Sequence, residues 1–289
     1  MLGAAALAVA LGGCATSELP HAAPVPPTPA NPPAAMQYLY GSGEAAAASV
    51  QAFAVLADHA ARVVKARPRD SVVLAKGATL ATPAFVPCGS KPFAAVFDVD
   101  ETVLLNLGFE YQDARTGKGW TAADWDAWEK SDGRALSPVP GAVAALRDLR
   151  AMGVTVIFNT NRLAANAAQT AHAIEAAGLG PAVHGQTLFL AGDDASGSRK
   201  DGRRATIAAS HCVIALVGDQ LGDFSDLFNV GATPSARRAA AQGDAVARLW
   251  GRGWFVLPNP VYGHALSGGF DDVFPMDKRW EIPTQKEAN

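Results

Sequence analysis

From residue 91 onward the apolar positions fall into short unbroken runs, separated by longer stretches with helical spacing. The runs 94–97, 154–158, 187–190, 213–217 and 254–257 predict strands, and their continuous apolar character is that of strands covered on both faces of a parallel sheet. Between them, 141–152 and 164–177 predict helices, stopped by Gly153 and Gly178. Upstream, 42–66 is Ala-rich and has no Pro or Gly after Gly43; Val50, Phe53, Leu56 and Val63 are spaced for one packing face. This alternation predicts an α/β fold, a parallel sheet with helices on both faces. Ligands of such sheets gather beyond the carboxyl ends of the strands.

The strand ends carry suitable chemistry. The first strand runs into Phe97-Asp98-Val99-Asp100-Glu101-Thr102-Val103, two carboxylates two residues apart. Strand alternation would send both the same way, and carboxylates so close require a cation between them, a raised pKa, or both; an Asp-rich turn is the plainer alternative. The second strand ends in Asn159-Thr160-Asn161-Arg162 near an expected helix start, an anion site or simply a cap. The strand 213–217 ends in Gly218-Asp219-Gln220-Leu221-Gly222-Asp223, a second carboxylate pair or an Asx turn. Lys200-Asp201-Gly202-Arg203-Arg204 lies before it and reads, on its own, as a solvated basic cluster.

Composition narrows the possibilities. With 289 residues, 49% hydrophobic and 18% charged, the chain suits one well-packed domain and a smaller accessory part. A net charge of -3 and no Lys/Arg block give no footing for a nucleic acid polymer as partner. Residues 2–11 are apolar but too few to span a bilayer, and they lead into Leu11-Gly12-Gly13-Cys14, which resembles a bacterial lipobox. That resemblance implies a signal peptide over 1–13, a lipid anchor on Cys14 and, from Ala15 at the sorting position, an outer-membrane lipoprotein on the periplasmic or cell-surface face. Residues 17–33 contain seven prolines and few large apolar residues, the composition of a semi-rigid tether within 14–35. The folded domain is expected over 36–289.

Taken in order, the four strand-end segments resemble the motifs of the haloacid dehalogenase superfamily of phosphohydrolases. With Pro140-Gly141-Ala142-Val143 and Leu257-Pro258-Asn259-Pro260-Val261-Tyr262-Gly263, they resemble the bacterial class C acid phosphatases, the lipoprotein 5'-nucleotidase family. The family usually reads Asp-Asn-Ser where this chain has Leu105-Asn106-Leu107, and has an aromatic residue near His264-Ala265. Both departures are expected beside the substrate pocket.

The resemblance implies a Rossmann-like haloacid dehalogenase fold with a small helical accessory region, an insertion at about 105–138, and a magnesium-dependent phosphomonoesterase. It makes Asp98 the nucleophile and Asp100 the acid/base. Asp98, the Asp100 main chain and Asp219 would hold Mg2+, and Asp223 would orient its waters. Thr160, Asn161 and Lys200 would bind phosphate; Trp125 and Tyr262 would bind the leaving group, with Trp120 and Trp128 more suited to packing. Arg162 and Arg203 carry no settled role beyond a surface ion pair. The expected substrate is a small phosphomonoester: a nucleoside 5'-monophosphate, nicotinamide mononucleotide or an aryl phosphate. The resembled enzymes also imply a homodimer, and the neighbouring strands of their fold imply a Cys88–Cys212 disulfide. The alternatives are a non-catalytic ligand-binding lipoprotein, or a phosphotransferase on the same fold.

Overall fold

The computed structural model describes residues 29–231 and 233–282. The signal peptide, Cys14 and most of the tether lie outside the described residues. The chain enters through a short turn α1 (Ala34–Met36) that widens into a π-helical segment, Gln37–Gly41. Ser42 then caps α2 (Gly43–Val63), its hydroxyl accepting from the Ala45 amide at 3.1 Å. The buried face of α2 is Ala45, Ser49, Phe53, Leu56, His59 and Ala60, while Val50 is exposed, contrary to the face expected for it. The cause is close approach: the backbone at Val50 lies against Gly141, so helix α2 packs there by its main chain.

A hairpin of β1 (Asp70–Leu74) and β2 (Phe85–Pro87) follows, and the sequence pattern gave no hint of it. Next come β3 (Phe93–Phe97), a two-residue strand β4 (Leu104–Leu105), α3 (Leu107–Thr116), α4 (Ala122–Glu129) and β5 (Ser137–Pro138), which pairs antiparallel with β4. The remainder alternates: α5 (Ala142–Ala151), β6 (Thr155–Leu163), α6 (Ala167–Ala176), β7 (Leu188–Ala191), α7 (Asp201–Ser210), β8 (Cys212–Gly218), α8 (Pro234–Gln242) and β9 (Trp254–Val256). The central sheet is five-stranded and parallel in the order β7-β6-β3-β8-β9.

Residues of β3 alternate between two cores. Ala95 and Phe97 pack with Phe53 and Leu56 of α2, Leu146 and Leu149 of α5 and Ile174 of α6. Ala94 and Val96 pack with Ile207 and Ala208 of α7 and with Phe224, Phe228 and Trp254. Both faces are therefore covered, as the unbroken apolar runs predicted. At the amino ends of β3 and β8, Cys88 and Cys212 form a disulfide with Cα atoms 4.5 Å apart. No helix among the described residues is long and apolar enough to cross a membrane.

Candidate active site

The first motif leaves the sheet immediately after β3. The Asp98 amide still donates to the Val217 carbonyl at 2.9 Å, and then the chain turns: the amides of Val103 and Leu104 both donate to the Val99 carbonyl. Glu101 takes up the left-handed conformation in this turn, with φ 53°. Because the strand ends at Phe97, Asp98 and Asp100 do not simply alternate; they acquire different partners. Asp98 is buried and its Oδ1 accepts from Lys200 Nζ, while its Oδ2 shares the Thr102 hydroxyl (3.4 Å) with Asp219 Oδ1 (3.1 Å). Asp100 is gripped by the Arg162 guanidinium, through Nε at 2.9 Å and Nη2 at 2.7 Å.

Strand β6 is longer than the apolar run suggested and carries Thr160, Asn161 and Arg162 within it; a 3-10 turn, Ala164–Asn166, intervenes before α6. Thr160 therefore stands on an extended strand rather than at a helix start, and the helix-terminus anion site expected there is absent. Its hydroxyl instead meets Asp100 Oδ2 at 3.4 Å and accepts from the Arg162 amide at 3.1 Å. Asn161 is exposed, its side-chain oxygen taken by Arg203 at 2.8 Å. Arg162 and Arg203 are both fully buried, not surface ion pairs: the first fixes Asp100, and the second spans Asn159 and Asn161 at the strand end.

Lys200 is likewise no solvated cation. It sits at the start of α7, where the Asp226 carboxylate accepts from the Lys200 and Asp201 amides at 2.9 and 2.8 Å, so the cap aims the side chain inward. Its ammonium bridges Asp98 and Asp223, the latter at 2.7 Å. Burial by itself would lower the Lys200 pKa, but Asp223 and Asp98 outweigh it and hold the ammonium above its ordinary value.

Asp219 follows the last residue of β8 and accepts from Asn259 Nδ2 at 2.7 Å and Gln220 Nε2 at 3.0 Å. Asp223 folds back over Gly218, where a Cβ would fall 2.3 Å from that of Asp223, so only glycine admits it. Carboxylate oxygens of Asp98, Asp219 and Asp223 lie within 4.8 Å of one another. Asp223 stands beside the other two, its Oδ1 held by Lys200 and its Oδ2 by the Gln220 amide. Burial first, then mutual repulsion, raises the Asp98 and Asp219 pKa values well above the carboxylate range. Three carboxylates face a single ammonium here, and such an all-oxygen donor set fits a hard divalent ion.

Residues 42–265 match the family described as HAD superfamily, subfamily IIIB (acid phosphatase). The chain belongs to that family. It is an acid phosphatase, a phosphomonoesterase. Two structures of the class C acid phosphatase from Bacillus anthracis, one with tungstate bound, share its fold at 23% identity. They superpose with TM-scores of 0.64 and 0.65, over 80% of this chain and 84% of theirs.

The two aromatic residues expected at the leaving group have different neighbours, Arg162 for Trp125 and Glu101 for Tyr262. Trp125 of α4 meets Phe109 edge-on at 4.9 Å and lies 5.8 Å from the Arg162 guanidinium carbon. Its helix is tied to the end of β6 by Glu129, which accepts from the Leu163 amide at 3.1 Å and from Asn166 at 2.8 Å. Tyr262 is anchored through its backbone: Asn259 accepts from the Val261 amide, and Gln220 donates to the Tyr262 carbonyl at 3.2 Å. Trp128 packs and donates to Asn106, whereas Trp120 is largely exposed.

Several residues of the acid phosphatase site escaped the sequence reading. Asn106, wholly buried, donates to Asp100 at 3.0 Å and to Glu101, and accepts from Trp128 and Arg162. Thr102, Glu101 and Asn259 were within quoted motifs but had no assigned role. Tyr40 carried no signal at all; its hydroxyl donates to Glu101 at 3.2 Å. Leu105 joins the main core.

Proposed function

We propose that this acid phosphatase hydrolyses small phosphomonoesters with Mg2+ through an aspartyl-phosphate on Asp98. The observation that carries it is the convergence of Asp98, Asp219, Asp223 and Lys200 at the carboxyl ends of β3 and β8. Asp98, Asp219 and Asp223 would hold the ion, with the Asp100 main chain; bound there, it supplies positive charge that keeps Asp98 ionised and offsets phosphate charge. An oxygen of Asp98 attacks phosphorus, and Asp100 gives a proton to the departing alkoxide. Asp100 then takes a proton from the water that opens the acyl phosphate. Arg162 keeps the Asp100 carboxyl in one orientation through both steps. Lys200 and Thr160 face the transferring oxygens and stabilise their charge. Tungstate on the Bacillus anthracis enzyme, a tetrahedral oxyanion like phosphate, supports this reading.

Trp125 and Tyr262 favour leaving groups with a flat ring, such as nucleoside 5'-monophosphates, nicotinamide mononucleotide or aryl phosphates. We place the enzyme at the bacterial outer membrane through lipid on Cys14; fatty-acid labelling that survives Cys14→Ser would refute this. The chemical test is that panel of phosphates, with and without Mg2+, on the wild type and Asp98→Asn. Turnover should vanish in the variant and after metal removal. Turnover surviving either change overturns the mechanism, and transfer to added alcohol in preference to water would make the enzyme a phosphotransferase.

A further inference from the structure

Glu101 is the carboxylate that the reaction does not use. It follows Asp100 in the turn after β3, and it is 1% exposed. One oxygen accepts from the Tyr40 hydroxyl at 3.2 Å and from the Asn106 amide at 2.9 Å; the other accepts from the Tyr262 hydroxyl. Tyr40, Glu101 and Tyr262 are separated along the chain by 61 and 161 residues, so the contact is built by the fold and not by local geometry.

Both ends of this contact sit on irregular backbone. Tyr40 belongs to the π-helical segment Gln37–Gly41, a conformation that is rare and concentrated at functional sites. Glu101 occupies the left-handed region at φ 53°, which a non-glycine residue adopts only when its surroundings hold it there. The Tyr262 side is fixed as well: Gly263, at φ +100°, leaves room for the Gln220 side chain, which a Cβ would meet at 2.4 Å, and Gln220 holds the Tyr262 carbonyl. One carboxyl group accepting from two phenols fixes both rings relative to each other, since hydrogen bonds are directional where apolar packing is not.

We infer that Tyr40 and Glu101 are positioning residues, which fix the Tyr262 ring where it meets the leaving group and so set the enzyme's preference for ring-bearing phosphomonoesters. This rests on the reading of Tyr262 given above. The N-terminal segment, remote from the reacting phosphorus in sequence, thereby becomes a determinant of specificity.

The test compares kcat/KM for a nucleoside 5'-monophosphate and a ring-free alkyl phosphate in the wild type, Tyr40→Phe, Tyr262→Ala and the double variant. Tyr40→Phe keeps the ring and removes one hydroxyl; it should lower the ratio of the two values about fivefold, mainly through KM of the nucleotide, the scale of one hydrogen bond. Tyr262→Ala should lower it further, and adding Tyr40→Phe to Tyr262→Ala should change nothing more. Glu101→Gln should lower the same ratio without touching that ring and, because Glu101 also holds Asn106 beside Asp100, should in addition lower kcat on both substrates. An unchanged ratio in Tyr40→Phe and Glu101→Gln, or an equal loss on both substrates, overturns the inference while Tyr262→Ala still reports on the leaving-group site. An unchanged ratio in Tyr262→Ala overturns the leaving-group reading itself.

Discussion

Replacing Lys200 by Met removes a buried ammonium while nearly preserving its length, and the structure states what is left behind. Asp98 and Asp223, with side chains 9% and 6% exposed, would face each other and Asp219 with no counter-charge. Removing one partner of a buried ion pair costs about 3–5 kcal/mol, because the remaining charge stays buried. For a domain of this size that corresponds to a fall in Tm of about 10 °C.

The loss must depend on pH. Asp98 already titrates above its ordinary range, chiefly through burial, and the lost ammonium was the strongest influence lowering it. A carboxyl whose folded pKa lies above its unfolded value contributes stability below the unfolded value and loses it as pH rises through the folded one. In Lys200→Met that folded value rises further, so the variant should lie close to the wild type near pH 4.5 and furthest below it at pH 8. Thermal unfolding of the metal-free proteins at both values measures the gap; Mg2+ added at pH 8 should narrow it by mass action. kcat/KM should fall by about 10²–10³, the scale of a lost oxyanion-stabilising group. An equal loss of Tm at both pH values would refute the reasoning, since it would mean that Lys200 acts through packing and not through charge.

Arg162→Lys should lower kcat at least about tenfold with KM little changed, because an ammonium cannot reproduce the two-point grip on Asp100; steady-state kinetics decides it. Cys88→Ser with Cys212→Ser should cost about 4–5 kcal/mol in denaturant unfolding, from the long loop that the disulfide closes, with kcat/KM unchanged because the bond lies at the opposite end of the strands. Glu110 is buried on α3, and its pKa is raised to about 7, first by burial and then by Asp113. Glu110→Gln should therefore add about 1–2 kcal/mol at pH 8.5, after allowance for solvent screening, and nothing at pH 5; unfolding at the two values checks the sign.

What could be read in the sequence followed from periodicity and from charge placed at strand ends. The apolar runs gave all five strands of the parallel sheet because both faces are buried and every position must be apolar. Asp98 and Asp219 were legible because an ionisable group at the end of a buried strand requires an explanation, whereas Lys200 read on its own as a solvated cation and was singled out only by the family resemblance. The β1–β2 hairpin was not legible, since its half-exposed strands leave only a weak alternating pattern. The extension of β6 through Thr160 to Leu163 was hidden as well. Its polar residues mimic a loop, and they tolerate strand geometry only because Arg203, Glu129 and Asp100 satisfy them. Tyr40 was beyond sequence reasoning altogether, its role depending on a contact across the fold.

The first departure from the family pattern, at Leu105-Asn106-Leu107, separates into two parts. Leu105 and Leu107 flank Asn106, and the antiparallel pair β4–β5 holds the first of them in the main core while the second opens α3 with 37% of its surface exposed. Asn106 between them keeps its place, because Asp100, Glu101, Trp128 and Arg162 all bond to its one amide group. A polar residue at 105 would be buried among apolar side chains, so Leu105 is a matter of packing. Leu107 differs: it stands one residue beyond the amide that joins Asp100 to Trp128, on the helix that carries Phe109 against Trp125. If the leaving-group preference of this chain departs from that of its relatives, Leu107→Ser should shift it and Leu105→Asp should only destabilise the fold, a distinction that the same two-substrate ratio and a thermal unfolding curve resolve.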